Sequence, residues 1–428
     1  MGTWQSGIVY AGRILDMDGT AHPKRLRVLL ADRVAELGPP ATGVAGLAAG
    51  DLIEFTVLGE RGADGSPRMA RVSRLGGPLP GRPWSEGDAL RWRRPGRGPA
   101  RLALLRLRQE VLRALRSYFD TQDFLEVETP CCVPAPSPEP QFSPIRAGEG
   151  FLITSPEFQL KRLLVGGAER LVRIGPAFRG GERGRLHNPE FTLLEWYRAY
   201  AELDALATDL QRMLLSLVPL AEDFARRHSP ARQPAPARLQ AAWARQPLPR
   251  VSVAELFRRH LKMDVRGVTR VPELHRAARE AQWPHARELA GDFDGAFSRL
   301  WIDAEAHFPH EPFLVVDWPA PLASLARLKP ADPTVAERVE LYAGGIEIAN
   351  GFVELTDAIE QRARLEANLA QRRAMGRESL PLDEAFLRAL EDGMPPSAGM
   401  ALGVDRLVML VAGVSEVRDV LPFAADEL

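Results

Sequence analysis

The stretch from Leu171 to Tyr200, LVRIGPAFRGGERGRLHNPEFTLLEWYRAY, constrains this chain more than any other. Leu171, Val172 and Ile174 open a strand-like run, and Glu190 to Tyr197 returns as a second, β-prone and aromatic one. Between them lies Arg179-Gly180-Gly181-Glu182-Arg183-Gly184-Arg185, Gly-rich and cationic. Two such runs around such a loop predict an antiparallel hairpin with a long tip. Arg179, His187, Asn188, Glu195 and Tyr197 sit inside this apolar pattern. Polar groups buried in a sheet need partners, and a pocket for a charged ligand supplies them. A solvated loop with scattered charge is the plainer alternative.

Two further stretches repeat the theme. Ala336 to Glu354, AERVELYAGGIEIANGFVE, predicts a hairpin turning at Gly344-Gly345. A two-residue turn sets Tyr342 opposite Glu347, with Glu340 its diagonal neighbour on the same face. Adjacent carboxylates repel unless a cation lies between them, and oxygen ligands suit magnesium holding a nucleotide's phosphates. An exposed face with ordinary glutamates would read the same way. Strict alternation puts Asn350, Phe352 and Glu354 on the other face. A shared pocket therefore needs a kink, for which Gly351 is the natural place. Gly399 to Leu410, GMALGVDRLVML, predicts a strand of small residues and then an apolar helix from Asp405 and Arg406. Small residues admit a flat ligand close to the backbone, and Arg406 can pair with phosphate. Simple packing with a surface arginine is the alternative.

The remaining chain frames these stretches. Residues 1–85 read as about five short strands, a small barrel of the OB type. Its aromatic residues, Trp4, Tyr10 and Phe55, are few for a single-strand-binding platform, so a scaffold or docking module fits as well. The tract from Gly76 to Pro99 is rich in Gly, Pro and Arg, and a linker is placed at 86–100. Leu102 to Phe119 predicts an amphipathic helix and Phe124 to Pro130 a strand closed by proline. Pro130 to Pro144 reads as an ordered loop near the site. Phe151 to Glu157 leads into a helix over Phe158 to Val165. Glu157 stands where a carboxylate also complements the helix dipole. Ala201 to Val218 predicts another helix, His228 to Arg250 a variable loop, and 251–308 mostly helix with little readable chemistry.

A length of 428 residues exceeds one ordinary domain, and a net charge of −1 gives no global nucleic-acid footprint. The only cysteines, Cys131 and Cys132, are adjacent, a poor arrangement for a disulfide or a metal, which fits a reducing cytoplasm. Neither a signal peptide nor an apolar run of membrane length stands out.

The motifs together resemble those of a known family. FRGGERGRLHNPEFTLLEWY resembles motif 2 of the class II aminoacyl-tRNA synthetases in its lysyl form, FLEVETP motif 1 and GMALGVDRLVML motif 3. TSPEFQLKRLLVGG and IEIANGFVELTD are also lysyl-type signatures. Within that group the chain looks most like the elongation factor P lysine ligases, which modify a protein instead of a tRNA. The resemblance implies an α+β fold: a class II catalytic domain over 101–428, with an antiparallel sheet and flanking helices, beside the small N-terminal all-β barrel. It implies ATP as substrate, Mg2+, a homodimer through motif 1, and adenylation of lysine or β-lysine before transfer to elongation factor P.

The family's roles carry over residue by residue. Arg179 would bridge the substrate carboxylate and the α-phosphate, and Arg406 and His187 would hold the outer phosphates. Phe191 would stack on adenine, with Glu182 and Asn188 also at the nucleotide. Glu340 and Glu347 would bind magnesium. Glu157 and Glu195 would hold the amino group nearer the carboxylate. Tyr197 and Glu354 would hold the distal ammonium, and Asn350 would orient the carboxylate beside Phe352. Ala401 stands where lysyl-tRNA synthetases usually have glycine, and in the ligases alanine there goes with β-lysine. The family usually has Glu two residues after the motif 2 arginine. Here Gly181 stands there, with Glu182 one place later. The barrel keeps a compact lysyl-tRNA synthetase as an alternative function, and Gly181 a non-catalytic regulatory paralogue.

Overall fold

The computed structural model describes residues 9–17, 25–30, 34–38, 47–61, 66–77, 101–228, 247–289 and 291–428. Trp4, the linker at 86–100 and all but the ends of the 228–250 loop lie outside them. The chain forms two compact units, Met1–Ala103 and Leu104–Leu428.

In the first unit, β1 (Val9–Met17), β2 (Leu26–Leu29), β3 (Val34–Leu37), β4 (Leu52–Arg61) and β5 (Pro67–Gly76) form one sheet in the order β3-β2-β1-β4-β5. A parallel bridge from Gly38 to Arg68 links its two ends, as closure into an OB-like barrel requires. Alternate side chains such as Ile14, Val28, Ile53, Phe55, Met69 and Val72 fill the interior. A Cβ at Gly12 would lie 2.6 Å from Val28 Cγ1 and 2.7 Å from Leu29 O, so the approach of β1 to β2 demands glycine. Phe55, stacked on Tyr10 with centroids 5.8 Å apart, is buried in this core. It is no platform for a base.

The second unit takes in all but the first three residues of α1 (Arg101–Thr121), then β6 (Leu125–Glu126), β7 (Cys132–Val133), β8 (Arg146–Ala147) and β9 (Gly150–Leu152). Then come α2 (Glu157–Val165), β10 (Arg170–Phe178), β11 (Glu190–Ala199) and α3 (Leu203–His228). A helical section follows: β12 (Arg250–Ser252), α4 (Val253–Leu261), α5 (Val271–Glu280) and α6 (Phe293–Glu305). The chain ends with β13 (Phe313–Pro319), β14 (Leu328–Lys329), β15 (Asp332–Ala343), β16 (Ile346–Val353), α7 (Ala358–Ala374), α8 (Glu384–Gly393), β17 (Ser397–Gly403) and α9 (Val404–Ala412).

One nine-stranded sheet organises this unit, in the order β12-β13-β15-β16-β17-β11-β10-β6, with β14 added on β15. The pairs are antiparallel except at the edges, where β12/β13 and β10/β6 run parallel. Chain-distant β17 lies between the two predicted hairpins and joins them. The strand expected over Phe124–Pro130 keeps only Leu125–Glu126 and a bond from Val127 N–H to Val172 O. Pro130 has no N–H with which to continue. Helix α1 buries Leu104, Leu107, Val111, Leu115 and Phe119, a single stripe at helical spacing. Each such side chain stabilises the fold by roughly 1.5–3 kcal/mol. Phe119 meets Trp196 of β11, centroids 5.6 Å apart. A buried carboxylate, Asp405, fastens three elements: Oδ1 accepts from Arg108 Nη1 at 2.5 Å and Oδ2 from Thr192 N–H at 3.0 Å.

The β15–β16 turn pairs Ala343 with Ile346 and Tyr342 with Glu347, as a two-residue Gly344-Gly345 turn requires. The kink is not at Gly351. It falls at Ile348, the unpaired residue between Tyr342↔Glu347 and Leu341↔Ala349. That single extra residue puts Glu347 on the same face as Asn350 and Phe352. Gly351 has a different cause: a Cβ there would lie 2.7 Å from Gly399 O on β17.

Candidate active site

The register of the sheet builds the site. One row across it runs Arg173, Glu195, Ala401, Asn350, Glu340, each paired with the next on the neighbouring strand. The adjacent row runs Leu171, Tyr197, Gly399, Phe352, Arg338. Two residues along the other way, Leu193 pairs with Gly403. Paired residues project to one face, so residues from five strands converge there. The small residues Gly399, Ala401 and Gly403 leave the centre of that face open. Above it lies a cavity of about 350 Å³.

At the acidic end, Glu195 is fully buried and accepts from Ser155 Oγ at 2.6 Å and from Tyr197 Oη at 3.2 Å. Burial, with Glu157 nearby, raises its carboxyl to about 7. Glu157 opens α2, where its N–H donates to Ser155 Oγ at 3.0 Å. Its Oε1 lies 2.5 Å from Lys161 Nζ. Lys161 also lies 2.5 Å from Glu354 Oε2 and 5.3 Å from the centre of the Phe352 ring. Burial alone would lower the Lys161 ammonium, but the two carboxylates outweigh it and raise it.

At the other end, Arg179 closes the motif 2 loop through its N–H to Pro189 O at 2.9 Å. Its guanidinium lies between the rings of Phe142, at 4.0 Å, and Phe191, at 5.1 Å. Arg406 donates to Glu347 O at 2.9 Å and to Glu347 Oε2 at 3.3 Å. It also donates to His187 Nε2 at 2.8 Å, which makes that nitrogen the acceptor. Burial and Arg406 both lower His187, which keeps the imidazole neutral. Glu340 is buried and accepts from Arg338 Nη2 at 2.6 Å; burial pushes its carboxyl up against that pull, and Glu347 adds to the rise. Arg338 also donates to Asn350 Oδ1 at 3.1 Å and lies 4.5 Å over Trp318.

Thus Arg179, Glu182, His187, Asn188, Phe191 and Arg406 share the cavity wall with Glu157, Glu195, Tyr197, Asn350, Phe352, Ala401, Glu340 and Glu347. Glu354 is the exception. It does not line the cavity but lies directly behind it, closed off by Gly399 and Tyr197 and anchored on Lys161. The amide of Asn188 is engaged with the protein itself, donating to Glu190 O and accepting from Ala425 N–H. Gly181 adopts φ +79°, a left-handed turn, and Glu182 just after it reaches the cavity.

A family model described as tRNA synthetases class II (D, K and N) matches residues 90–427. The chain belongs to this family. Among curated proteins it is similar to the elongation factor P--(R)-beta-lysine ligases of Salmonella arizonae and Klebsiella pneumoniae subsp. pneumoniae. Each is 35% identical over 331 residues, which span 74% of this chain and 94% of the relative. The ligase of Salmonella paratyphi B matches to the same extent. The class II match begins at residue 90, so nearly all of the five-stranded N-terminal unit lies outside it.

As a class II synthetase domain, the chain also carries residues at the cavity wall (Glu139, Arg338) and behind it (Lys161, Arg372) that stand outside the motifs' expected roles. Lys161 stands four residues after Glu157, the spacing of a helical ion pair. Arg338 alternates with Glu340 and so shares its face. Glu139 reaches the cavity from the proline-rich loop and accepts from Ser324 Oγ at 2.7 Å. Buried Arg372 holds that loop through Glu139 O and Phe142 O. Among the described residues no helix is long and apolar enough to cross a membrane.

Proposed function

We propose that this chain activates lysine or β-lysine with ATP and joins it to a lysine side chain of elongation factor P. The observation that carries the reading is the row Glu195–Ala401–Asn350–Glu340. It puts an acidic pocket at one end of a cavity and a carboxylate pair with arginines at the other, in a chain similar to named β-lysine ligases.

In the first step the amino acid's carboxylate attacks the α-phosphorus of ATP. An acyl-adenylate forms and pyrophosphate leaves with the electron pair of the broken P–O bond. Arg179, pinned between two rings, meets the carboxylate and α-phosphate, while Arg406 and neutral His187 hold the outer phosphates. Fixed guanidinium groups stabilise developing charge without reorganising. Phe191 stacks on adenine, Asn188 supports the loop beside it, and Glu182 takes the contact that Gly181 lacks. No base is needed, because the carboxylate is already nucleophilic. Glu157 and Glu195 hold one ammonium, Tyr197 with Glu354 behind it holds the other, and Asn350 and Phe352 orient the chain between them. Alanine at position 401, paired with both Glu195 and Asn350, narrows the pocket where those two meet, consistent with β-lysine. In the second step an unprotonated lysine amine attacks the adenylate carbonyl; an amide forms, AMP leaves and the amine sheds its proton.

Glu340 and Glu347 fit a divalent cation: two carboxylates on one face, with Glu340 raised chiefly by burial and further by Glu347. Among the described residues no set of three or more His, Cys, Asp or Glu forms a metal cluster. Two carboxylates plus substrate phosphates suit Mg2+, which when bound supplies positive charge to the polyphosphate. On this reading 101–428 is the catalytic module, 86–100 a linker and 1–85 an accessory barrel, in a cytoplasmic homodimer formed through motif 1.

The test is an acceptor assay with ATP and radiolabelled lysine or (R)-β-lysine, offering elongation factor P or tRNA(Lys). Label on elongation factor P alone supports the proposal. Label on tRNA alone replaces it with a lysyl-tRNA synthetase, and no pyrophosphate–ATP exchange with any lysine isomer replaces it with a regulatory paralogue.

A further inference from the structure

Lys161 is a buried cation behind the cavity's acidic end for which the proposed reaction has no task. Its side chain is fully closed from solvent, whereas that of Glu157 retains 16% exposure and faces the cavity. Glu354, its other partner, is as enclosed as the lysine. Neither Glu354 oxygen has a well-aligned hydrogen bond, so the ion pair is what holds it. The ammonium therefore bridges a cavity-facing carboxylate to an interior one. An exposed i,i+4 pair contributes little, but a buried cation between two carboxylates fixes geometry as well as charge. A free glutamate at the start of α2 samples several rotamers; one tied at 2.5 Å to an immobile ammonium does not.

We propose that Lys161 is a positioning residue: its ammonium, anchored on Glu354, fixes the Glu157 carboxylate in the orientation that receives the substrate's amino group. This rests on reading the cavity as an amino-acid-activating site. Lys161 acts on charge rather than on side-chain shape, so it serves the α- and β-isomers of lysine alike.

The experiment measures pyrophosphate–ATP exchange and melting temperature for the wild-type chain and its Lys161→Met variant. The companions are Glu354→Gln, Glu157→Gln and the double variants of each with Lys161→Met. Lys161→Met is expected to raise KM for both lysine isomers by about tenfold, with KM for ATP changed less than about twofold. Combined with Glu157→Gln it should add nothing, because both changes act through one carboxylate. Combined with Glu354→Gln it removes both members of a buried pair, which folds tolerate. That double variant keeps the comparison open if Lys161→Met alone does not fold. Its amino-acid KM should still exceed that of Glu354→Gln by about tenfold. Equality of those two values would leave Lys161 only the neutralising of Glu354 and overturn the inference, as would additivity with Glu157→Gln. A wild-type chain without exchange overturns the reading of the cavity itself, a result distinct from either.

Discussion

Replacing Gly399 by alanine should separate amino-acid recognition from nucleotide recognition. A Cβ at this position would lie 2.2 Å and 2.5 Å from Tyr197 ring carbons and 2.6 Å from Glu354 Oε1. Ordinary contact begins at 3.4 Å, so the ring must retreat by about 1.2 Å. It has no room to do so, being buried among Phe158, Leu160, Leu164 and Leu171. Overpacking of this kind costs about 1–3 kcal/mol of stability. The retreat also breaks the 3.2 Å bond from Tyr197 Oη to Glu195. Hydrogen bonds to charged groups are worth about 1.5–3 kcal/mol, which corresponds to a rise of roughly 10- to 150-fold in KM for lysine or β-lysine. Arg179 and Arg406 are untouched, so KM for ATP should hold. Exchange kinetics with each substrate varied in turn, alongside calorimetric melting, measure both quantities. A folded Gly399→Ala protein with wild-type amino-acid KM would refute the placing of the ammonium pocket at Tyr197, and an equal rise in both KM values would mean general collapse.

Two further outcomes test the electrostatics. Because burial raises Glu195 to about 7, its ionised fraction climbs from about a tenth at pH 6 to about nine-tenths at pH 8, and amino-acid KM should fall about tenfold across that interval. Glu195→Gln should flatten the profile. The same raised value has a stability counterpart of opposite sense: the folded state holds this proton more tightly than the unfolded chain. Its contribution is therefore complete below about pH 4.5 and is lost as pH rises through about 7, readable as a falling melting temperature. Glu347→Gln should weaken Mg2+-dependent ATP binding in calorimetry and slow adenylate formation about a hundredfold, with circular dichroism unchanged; near-normal binding would contradict its assignment to the metal.

Much of this site is legible in the sequence because the sheet's period is short and its turns carry glycine. Gly344-Gly345 announces its own turn and so pins Tyr342 opposite Glu347. The Gly-rich motif 2 loop likewise declares the β10–β11 hairpin. Glycine is the usual marker of a bulge and points to Gly351, yet the unpaired residue is Ile348, whose side chain gives no sign of it. Gly351 answers instead to the carbonyl of Gly399, a contact between strands that no local pattern reveals. Lys161 is hidden for a similar reason: at i,i+4 from a glutamate it looks like one more surface pair until Glu354, far along the chain, closes over it. The sequence gives no sign of Arg338 and Glu139, because their partners, too, are set by tertiary packing.

The knot of Arg108, Asp405 and Thr192 has a consequence for how the protein comes into being. Arg108 and Asp405 are separated by 297 positions, and Thr192 and Asp405 by 213. On the ribosome the first helix of this unit emerges long before its counter-charge exists. Until the last strand and helix are made, Arg108 has no such mate, and Arg406, next door to Asp405, has no fixed seat. Long-range closure of this kind is slow relative to local helix formation. A nascent chain therefore carries its arginines and glutamates unassembled, and the cavity becomes competent only after Asp405 and Arg406 have joined the chain.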